Sequence, residues 1–220
     1  MRRPRAAPSI PARQIVPVGD RPAAALAWHA LLATVEHLGA GAGAHPLGRL
    51  PFITATLLGV LCDEATSALT SRATGPEQWA APAGPALARL AVSRQLRTAV
   101  SQSVGFAVTP TYNAVYLADP PGSLVRPHID KRGYDLTVHV VLTHDLPPGS
   151  TGTRLLIHRA GAAQPEPLRL HPGEAVVVRA RATVHGWTRL AAGERRTMVG
   201  IGFVAATTEQ AQPGGPASPP

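Results

Sequence analysis

The tripeptide His128-Ile129-Asp130 is the stretch whose residue types and spacing are best suited to chemistry. In an extended segment, side chains two positions apart project from the same face, so this imidazole and this carboxylate would converge. One further imidazole would complete the facial triad of a mononuclear non-haem Fe(II) site, with three coordination positions left open. Because two fixed positions in a tripeptide often occur by chance, the interpretation depends on what the rest of the chain supplies.

A third imidazole and a receptor for a carboxylate follow later in the chain. His185 lies near the start of a predicted strand, far from His128 in sequence. Arg195 and Thr197 then share one face of a later predicted strand. A guanidinium and a hydroxyl on one face can bind a carboxylate, through a bidentate pair and one further hydrogen bond. Arg196 is adjacent, and strand parity favours Arg195 over it.

The first half of the chain is predicted to be helical and to support the site. Residues 1–22 are rich in Pro and Arg and are predicted to be disordered or to contribute an edge strand. Residues 23–103 are predicted to form a helical region that packs on a sheet built by the second half. Gly-rich and Pro-rich stretches interrupt this region and are predicted to be loops. The predicted helices span about 23–38, 53–71 and 85–100.

After about residue 103, helical spacing gives way to short strand-like runs between Gly and Pro turns. The predicted strands span about 107–111, 114–118, 124–130, 135–143, 154–159, 168–170, 175–180, 183–189 and 195–205. Roughly eight or nine short strands in about a hundred residues favour a closed sandwich or jelly roll over residues 104–206. Residues 207–220 are predicted to be a disordered tail.

Composition favours a soluble, cytoplasmic protein with no membrane segment. The longest apolar run is much shorter than the ~18 residues that a membrane helix needs. The single cysteine, Cys62, excludes an internal disulfide and a multi-cysteine zinc site. The net charge of +8 raises the question of nucleic-acid binding. However, 20 of the 21 basic residues are Arg scattered along the chain, so a nucleic-acid partner is not expected, although it is left open.

The order His-x-Asp, a distal His and Gly-x-Arg-x-Thr resembles the pattern of the Fe(II)- and 2-oxoglutarate-dependent dioxygenases, over residues 111–205. The resemblance implies an α+β or mainly β protein whose core is a double-stranded β-helix, a cupin-like jelly roll, with flanking N-terminal helices. It implies Fe(II) ligands at His128, Asp130 and His185. It also implies the use of 2-oxoglutarate and O2, with release of succinate and CO2 and hydroxylation of a small molecule, amino acid, peptide or biosynthetic intermediate.

The resemblance also assigns roles around the metal. Arg195, assisted by Thr197, would bind the far carboxylate of 2-oxoglutarate. Tyr116 and Asn113 lie on the strand before His-x-Asp, where members of the family often carry a co-substrate contact. The neighbouring Asp119 is interpreted as a turn residue.

The substrate residues are inferred from their distance to the ligands. Arg126 and Trp187 each lie two positions from a ligand and would line the pocket, and Arg126 would favour an anionic substrate. Tyr134, just after the metal strand, is a candidate for the pocket lip. The other histidines of this half are interpreted as hydrogen-bonded structural residues: His139, His144, His158 and His171.

Two alternatives remain at this point. One is a nucleic-acid demethylase resembling alkylation-repair enzymes, which the positive charge favours, although a clustered basic stripe and a base-stacking loop are missing. The other is a cupin-like protein that binds a ligand without catalysis. The sequence leaves the substrate and the oligomeric state open.

Overall fold

A computed structural model describes residues 43–70, 78–130, 133–158 and 164–206 of the protein. The predictions for 1–22, for the helix over 23–38 and for the tail over 207–220 lie outside these residues. Within them, three helices and nine strands are present. The helices are α1 (Ala55–Thr70), α2 (Pro85–Ala91) and α3 (Arg94–Val104). The strands are β1 (Ala44–Arg49), β2 (Trp79–Pro82), β3 (Val108–Asp119), β4 (Leu136–Asp145), β5 (Leu155–His158), β6 (Glu166–Leu168), β7 (Glu174–Arg179), β8 (Val184–Trp187) and β9 (Arg195–Ala205).

The strands form two antiparallel sheets. The larger sheet has the order β1-β7-β4-β9-β3-β2, and the smaller has the order β6-β5-β8. A further extended segment continues the smaller sheet beside β8, because His128 and His185 form an antiparallel bridge and Trp187 N donates to Val125 O at 2.9 Å. The predicted strand over 124–130 is thus present only as this short bridged segment. The two sheets enclose one interior, which is the jelly roll predicted from the second half of the chain.

The larger sheet is buried on both faces. Its inner face, toward the smaller sheet, contributes to one apolar cluster: Val125, Val141, Leu155, Ile157, Leu170, Val176, Val178, Trp187 and Met198. Its outer face packs against the helices in a second cluster, to which β9 contributes Val199, Ile201 and Phe203. On α1 and α3 the buried positions recur at helical spacing, as the sequence pattern predicts.

Two strands occur in the region that was predicted to be helical or loop. β1 pairs with β7 at one edge of the larger sheet, and β2 pairs with β3 at the other. Each contains a proline, Pro46 or Pro82, which suits an edge strand because proline removes one ladder donor. Both runs are short and lack alternation, so the sequence pattern alone did not reveal them.

The predicted helix over 85–100 is two helices. α2 ends before Ser93, whose hydroxyl then accepts a hydrogen bond from Leu96 N at 3.3 Å and caps α3. Gly105, in the left-handed conformation (φ 79°), ends α3. Of the helices in the described residues, none is long and apolar enough to cross a membrane.

Candidate metal centre

The two His-bearing segments are held together by backbone hydrogen bonds. His128 N donates to His185 O at 2.8 Å, and His185 N donates to His128 O at 2.9 Å. Asp130 N donates to Ala180 O at 2.8 Å, which fixes the next ligand position. The backbones approach closely beside His185, because a Cβ on Gly186 would lie 2.8 Å from Val125 O. Only glycine fits between these segments without moving one of them.

The side chains of His128, Asp130 and His185 converge on one point. One potential ligand atom from each lies within 4.8 Å of the other two. Asp130 Oδ1 is 3.6 Å from His128 Nε2 and 3.7 Å from His185 Nε2. Two imidazole nitrogens and one carboxylate oxygen in this arrangement are the facial donor set expected for Fe(II).

Hydrogen bonds from neighbouring groups aim these donor atoms. His128 Nδ1 donates to Arg126 O at 2.8 Å, and His185 Nδ1 donates to Thr183 O at 3.1 Å. A carbonyl accepts only from a protonated nitrogen, so Nδ1 carries a proton in each ring, and in the neutral tautomer the free nitrogen is the Nε2 that faces the centre. Thr137 Oγ1 donates to Asp130 Oδ2 at 2.6 Å and leaves Oδ1 facing the two rings.

Asp130 is held in its charged form. Burial acts to raise the pKa of this carboxyl, but the hydrogen bond with His128, the charges that His185 and His139 carry when they are protonated in acid, and the Thr137 hydroxyl outweigh it. The pKa of Asp130 is therefore well below its usual range. A charged carboxylate binds a divalent cation without first losing a proton.

The site is open on one side. The His185 side chain is 1% exposed and that of Asp130 is 11% exposed, whereas that of His128 is 32% exposed. The donor atoms are therefore accessible from the side of His128, while His185 lies toward the interior of the jelly roll.

The structure corrects the predicted face of the arginine on β9. Arg195 is exposed, and Thr197 shares its parity on the outer face. Arg196 is 1% exposed and points into the jelly roll beside Met198. The parity argument was wrong because it took the large apolar residues of β9 as the inner face, and these pack against the helices instead.

Arg196 is the centre of a buried polar cluster. Its Nε donates to Asp119 Oδ2 at 3.0 Å and its Nη1 donates to Thr153 Oγ1 at 3.1 Å, while Nη2 also contacts Asp119. Its guanidinium lies 3.5 Å from the centroid of the Trp187 ring. Burial lowers the pKa of Arg196 and Asp119 opposes that effect, so the two remain an ion pair. Asp119, interpreted from the sequence as a turn residue, is 2% exposed.

The predicted co-substrate contacts on β3 do not face the metal side chains. Tyr116 is fully buried on the outer face, where its hydroxyl donates to Glu64 of α1. Glu64 also accepts from Ala86 N at 2.9 Å and Leu87 N at 3.1 Å, so Tyr116 ties the sheet to two helices. Asn113 is exposed, at an irregularity in the pairing of β3 with β9.

The three predicted substrate residues have different surroundings. Arg126 is exposed next to the open side of the site. The ring of Tyr134 covers Gly202, because a Cβ on this glycine would lie 3.0 Å from the ring. Gly202 in turn is the β9 neighbour of Thr137. Tyr134 therefore lies near the carboxylate ligand. Trp187 points inward as predicted, but it is 3% exposed and covered by Arg196.

His139 was interpreted as a hydrogen-bonded structural residue, but the hydrogen bonds that this interpretation expects are not found among the described residues. Within the described part of the chain, neither of its ring nitrogens has a hydrogen-bond partner. Burial, reinforced by His185, lowers its pKa to about 3, so the ring is neutral. Its ring centroid is 5.8 Å from that of His185. By contrast, His144 Nε2 contacts Glu194 Oε1 at 2.6 Å, as a structural histidine should.

No protein-family model matches the sequence. No curated protein matches it either.

Solved structures do resemble this one. HygX from Streptomyces hygroscopicus, solved with nickel and 2-oxoglutarate, is 12% identical, with a TM-score of 0.59 over 81% of this chain and 93% of that one. A Pseudomonas putida prolyl-4-hydroxylase is 20% identical, with a TM-score of 0.56 over 80% and 100%. SnoN, a non-haem α-ketoglutarate-dependent epimerase of nogalamycin biosynthesis, is 16% identical, with a TM-score of 0.59 over 83% and 85%. At these identities the likeness establishes the fold, and the chain has the jelly-roll fold of the 2-oxoglutarate- and Fe(II)-dependent oxygenases.

Proposed function

We propose that this protein is an Fe(II)- and 2-oxoglutarate-dependent oxygenase that hydroxylates a small molecule. The observation that carries the proposal is the convergence of His128, Asp130 and His185, with both Nε2 atoms and one carboxylate oxygen aimed at one point. The sequence pattern and the fold agree with it independently. When bound at this centre, Fe(II) would couple two oxidations by O2: the decarboxylation of 2-oxoglutarate to succinate and CO2, and the oxidation of a substrate C–H bond.

The chain's own residues set up that chemistry. The carbonyls of Arg126 and Thr183 fix the tautomers of the two imidazoles, so that each neutral ring offers its Nε2 to the metal. Thr137 restrains the carboxylate and leaves one oxygen as a ligand. Three ligands on one face leave the opposite positions for the co-substrate and for O2.

Arg196 is the residue that we expect to bind the far carboxylate of 2-oxoglutarate, in place of Arg195. It lies on the same inner face as the triad, stacked on Trp187, which is two residues from the ligand His185. Three of its five N–H groups have partners among the described residues, so two can still reach a carboxylate.

The substrate is expected to enter past His128, where Arg126 and Tyr134 would meet it. A cation at this entrance favours a substrate with an anionic group. HygX, one of the similar structures, has also been solved with hygromycin B bound, which supports a small molecule as the substrate class. Another similar structure is an epimerase, so the same fold also supports a reaction other than hydroxylation. Analysis of the product formed from the substrate is therefore the test of the hydroxylation in this proposal.

Succinate formation tests the proposal. Wild type, His128→Ala and the surface control His171→Ala should be incubated with Fe(II), 2-oxoglutarate and O2. We expect succinate from wild type and from His171→Ala, and a loss of at least about a hundredfold in His128→Ala. Equal turnover in His128→Ala would overturn the site, and no turnover in any of the three would favour a ligand-binding protein without catalysis.

A further inference from the structure

The inner face of β4 carries a histidine that the metal triad does not use. Thr137, which binds Asp130, and His139 are two residues apart on this strand, so they project from the same face. His139 is 7% exposed, its ring centroid lies 5.8 Å from that of His185, and its partner on β9 is Gly200, which has the same strand parity as Arg196. The ring therefore lies in the interior that connects the metal centre with Arg196.

His139 is an uncommitted hydrogen-bonding group in this interior. Both ring nitrogens lack a partner within the described residues, although a buried polar atom normally has one. Its neighbour on β9 is Gly200, which has no side chain to cover the ring. A Cβ at Gly200 would make only ordinary contacts, 3.6 Å from Leu117 and Val115, so no crowding requires glycine there. A neutral imidazole here has one N–H to donate.

The charges around Arg196 indicate which kind of group a hydrogen bond from His139 would stabilise. Arg196 is already paired with Asp119, so the two together carry no net charge. A second carboxylate that binds Arg196 would be a buried anion, and Arg196 would balance its charge only in part because Asp119 is already paired with it. Such a group needs further hydrogen-bond donors, and donors to a charged group are the strong ones.

We propose that His139 donates a hydrogen bond to the far carboxylate of bound 2-oxoglutarate and shares that group with Arg196. This inference rests on the proposed function, because it assigns a residue to the co-substrate of the same site. It would make His139 a co-substrate-binding residue on a strand that supplies no metal ligand.

Calorimetric binding to Mn(II)-loaded protein without oxygen tests the inference without turnover. The proteins are wild type, His139→Leu, His139→Gln and the surface control His171→Leu. The ligands are 2-oxoglutarate and 2-oxobutyrate, which lacks the far carboxylate but keeps the metal-chelating end. Mn(II) affinity and thermal unfolding establish that each variant folds and holds its metal.

We expect His139→Leu to weaken 2-oxoglutarate binding by about tenfold or more, and 2-oxobutyrate binding by less than about twofold. His139→Gln should recover part of the loss, because its amide can still donate. An unchanged affinity for 2-oxoglutarate in His139→Leu, or an equal loss for both ligands, would overturn the inference while the proposed function stands. Failure of the wild type to bind 2-oxoglutarate would instead overturn the proposed function and the inference with it.

Discussion

The two faces of the larger sheet have opposite chemistry, although the same strands build both. On β4, Thr137 and His139 point inward beside the metal triad, whereas Val138 and Val140 point outward into the helical layer. β9 repeats the contrast, with Arg196 on the inner face and apolar side chains on the outer one. The inner face arranges charge and hydrogen bonds, and the outer face supplies apolar burial.

The outer face has one polar contact of note, and its role is different. The Tyr116 hydroxyl and the Glu64 carboxylate join the sheet to the start of α2. Burial, followed by the bond to Glu64, raises the pKa of Tyr116, so the hydroxyl stays protonated and remains a donor. A polar residue on the outer face is therefore expected to affect stability, and one on the inner face to affect ligand binding as well.

Substitution of the two arginines on β9 should give the largest contrast. Arg196→Leu leaves the Asp119 charge buried without its partner, which should cost about 3–5 kcal/mol of unfolding free energy, whereas Arg195→Leu should cost no more than ~0.5 kcal/mol. Denaturant unfolding measures both. The double variant Arg196→Leu/Asp119→Leu should recover much of the stability yet bind 2-oxoglutarate poorly. Strong binding by that double variant, together with weak binding by Arg195→Leu, would restore Arg195 as the anchor.

The buried His139 ring should make the metal-free protein sensitive to acid. Its pKa is about 3 in the folded state, against 6.5 for an ordinary histidine, so below pH 6.5 the unfolded chain binds a proton that the folded chain does not. The unfolding free energy therefore decreases as the pH is lowered, by about 2 kcal/mol from pH 7 to pH 5 through this residue alone. The stability difference between wild type and His139→Leu, measured by unfolding across that range, should shift by this amount. A constant difference would mean that His139 binds its proton equally well in the folded and in the unfolded chain, which would contradict the lowered pKa.

Tyr116→Phe should show the smaller effect of the outer face. It removes the hydrogen bond to Glu64, which still accepts from two backbone N–H groups, so we expect a loss of about 1.5 kcal/mol in unfolding free energy. Calorimetry should find its 2-oxoglutarate affinity within about twofold of wild type. A larger loss of affinity would return Tyr116 to the co-substrate site that the sequence assigned to it.

The strand-rich half and the shared face of His128 and Asp130 could be predicted from short-range patterns, whereas His185 was added to them through the resemblance to a known family. His128 and Asp130 share a face through the two-residue period of an extended chain, and His185 lies on the neighbouring segment. The face of Arg196 could not be predicted in this way. β9 is buried on both sides, so the alternation that normally separates core from solvent separates two interiors instead.

Contacts between distant residues account for the other differences. The partner of Asp119 is 77 residues away, and Tyr116 and Glu64 are separated by 52. Neither pair leaves a local signal in the sequence. The glycine at position 202 was a usable hint, because a Cβ there would lie 2.8 Å from Thr111 Oγ1, so this face of β9 must leave room.

Spectroscopic titration without oxygen tests the central claim most directly. A 2-oxo acid that chelates Fe(II) gives a visible charge-transfer absorption, so the measurement reports metal and co-substrate at one site independently of turnover. We predict that the wild type and His171→Ala develop this absorption only when both Fe(II) and 2-oxoglutarate are present, and that folded His185→Ala does not. Absorption of equal strength in His185→Ala, or none in the wild type, would contradict the assignment of the metal centre to His128, Asp130 and His185.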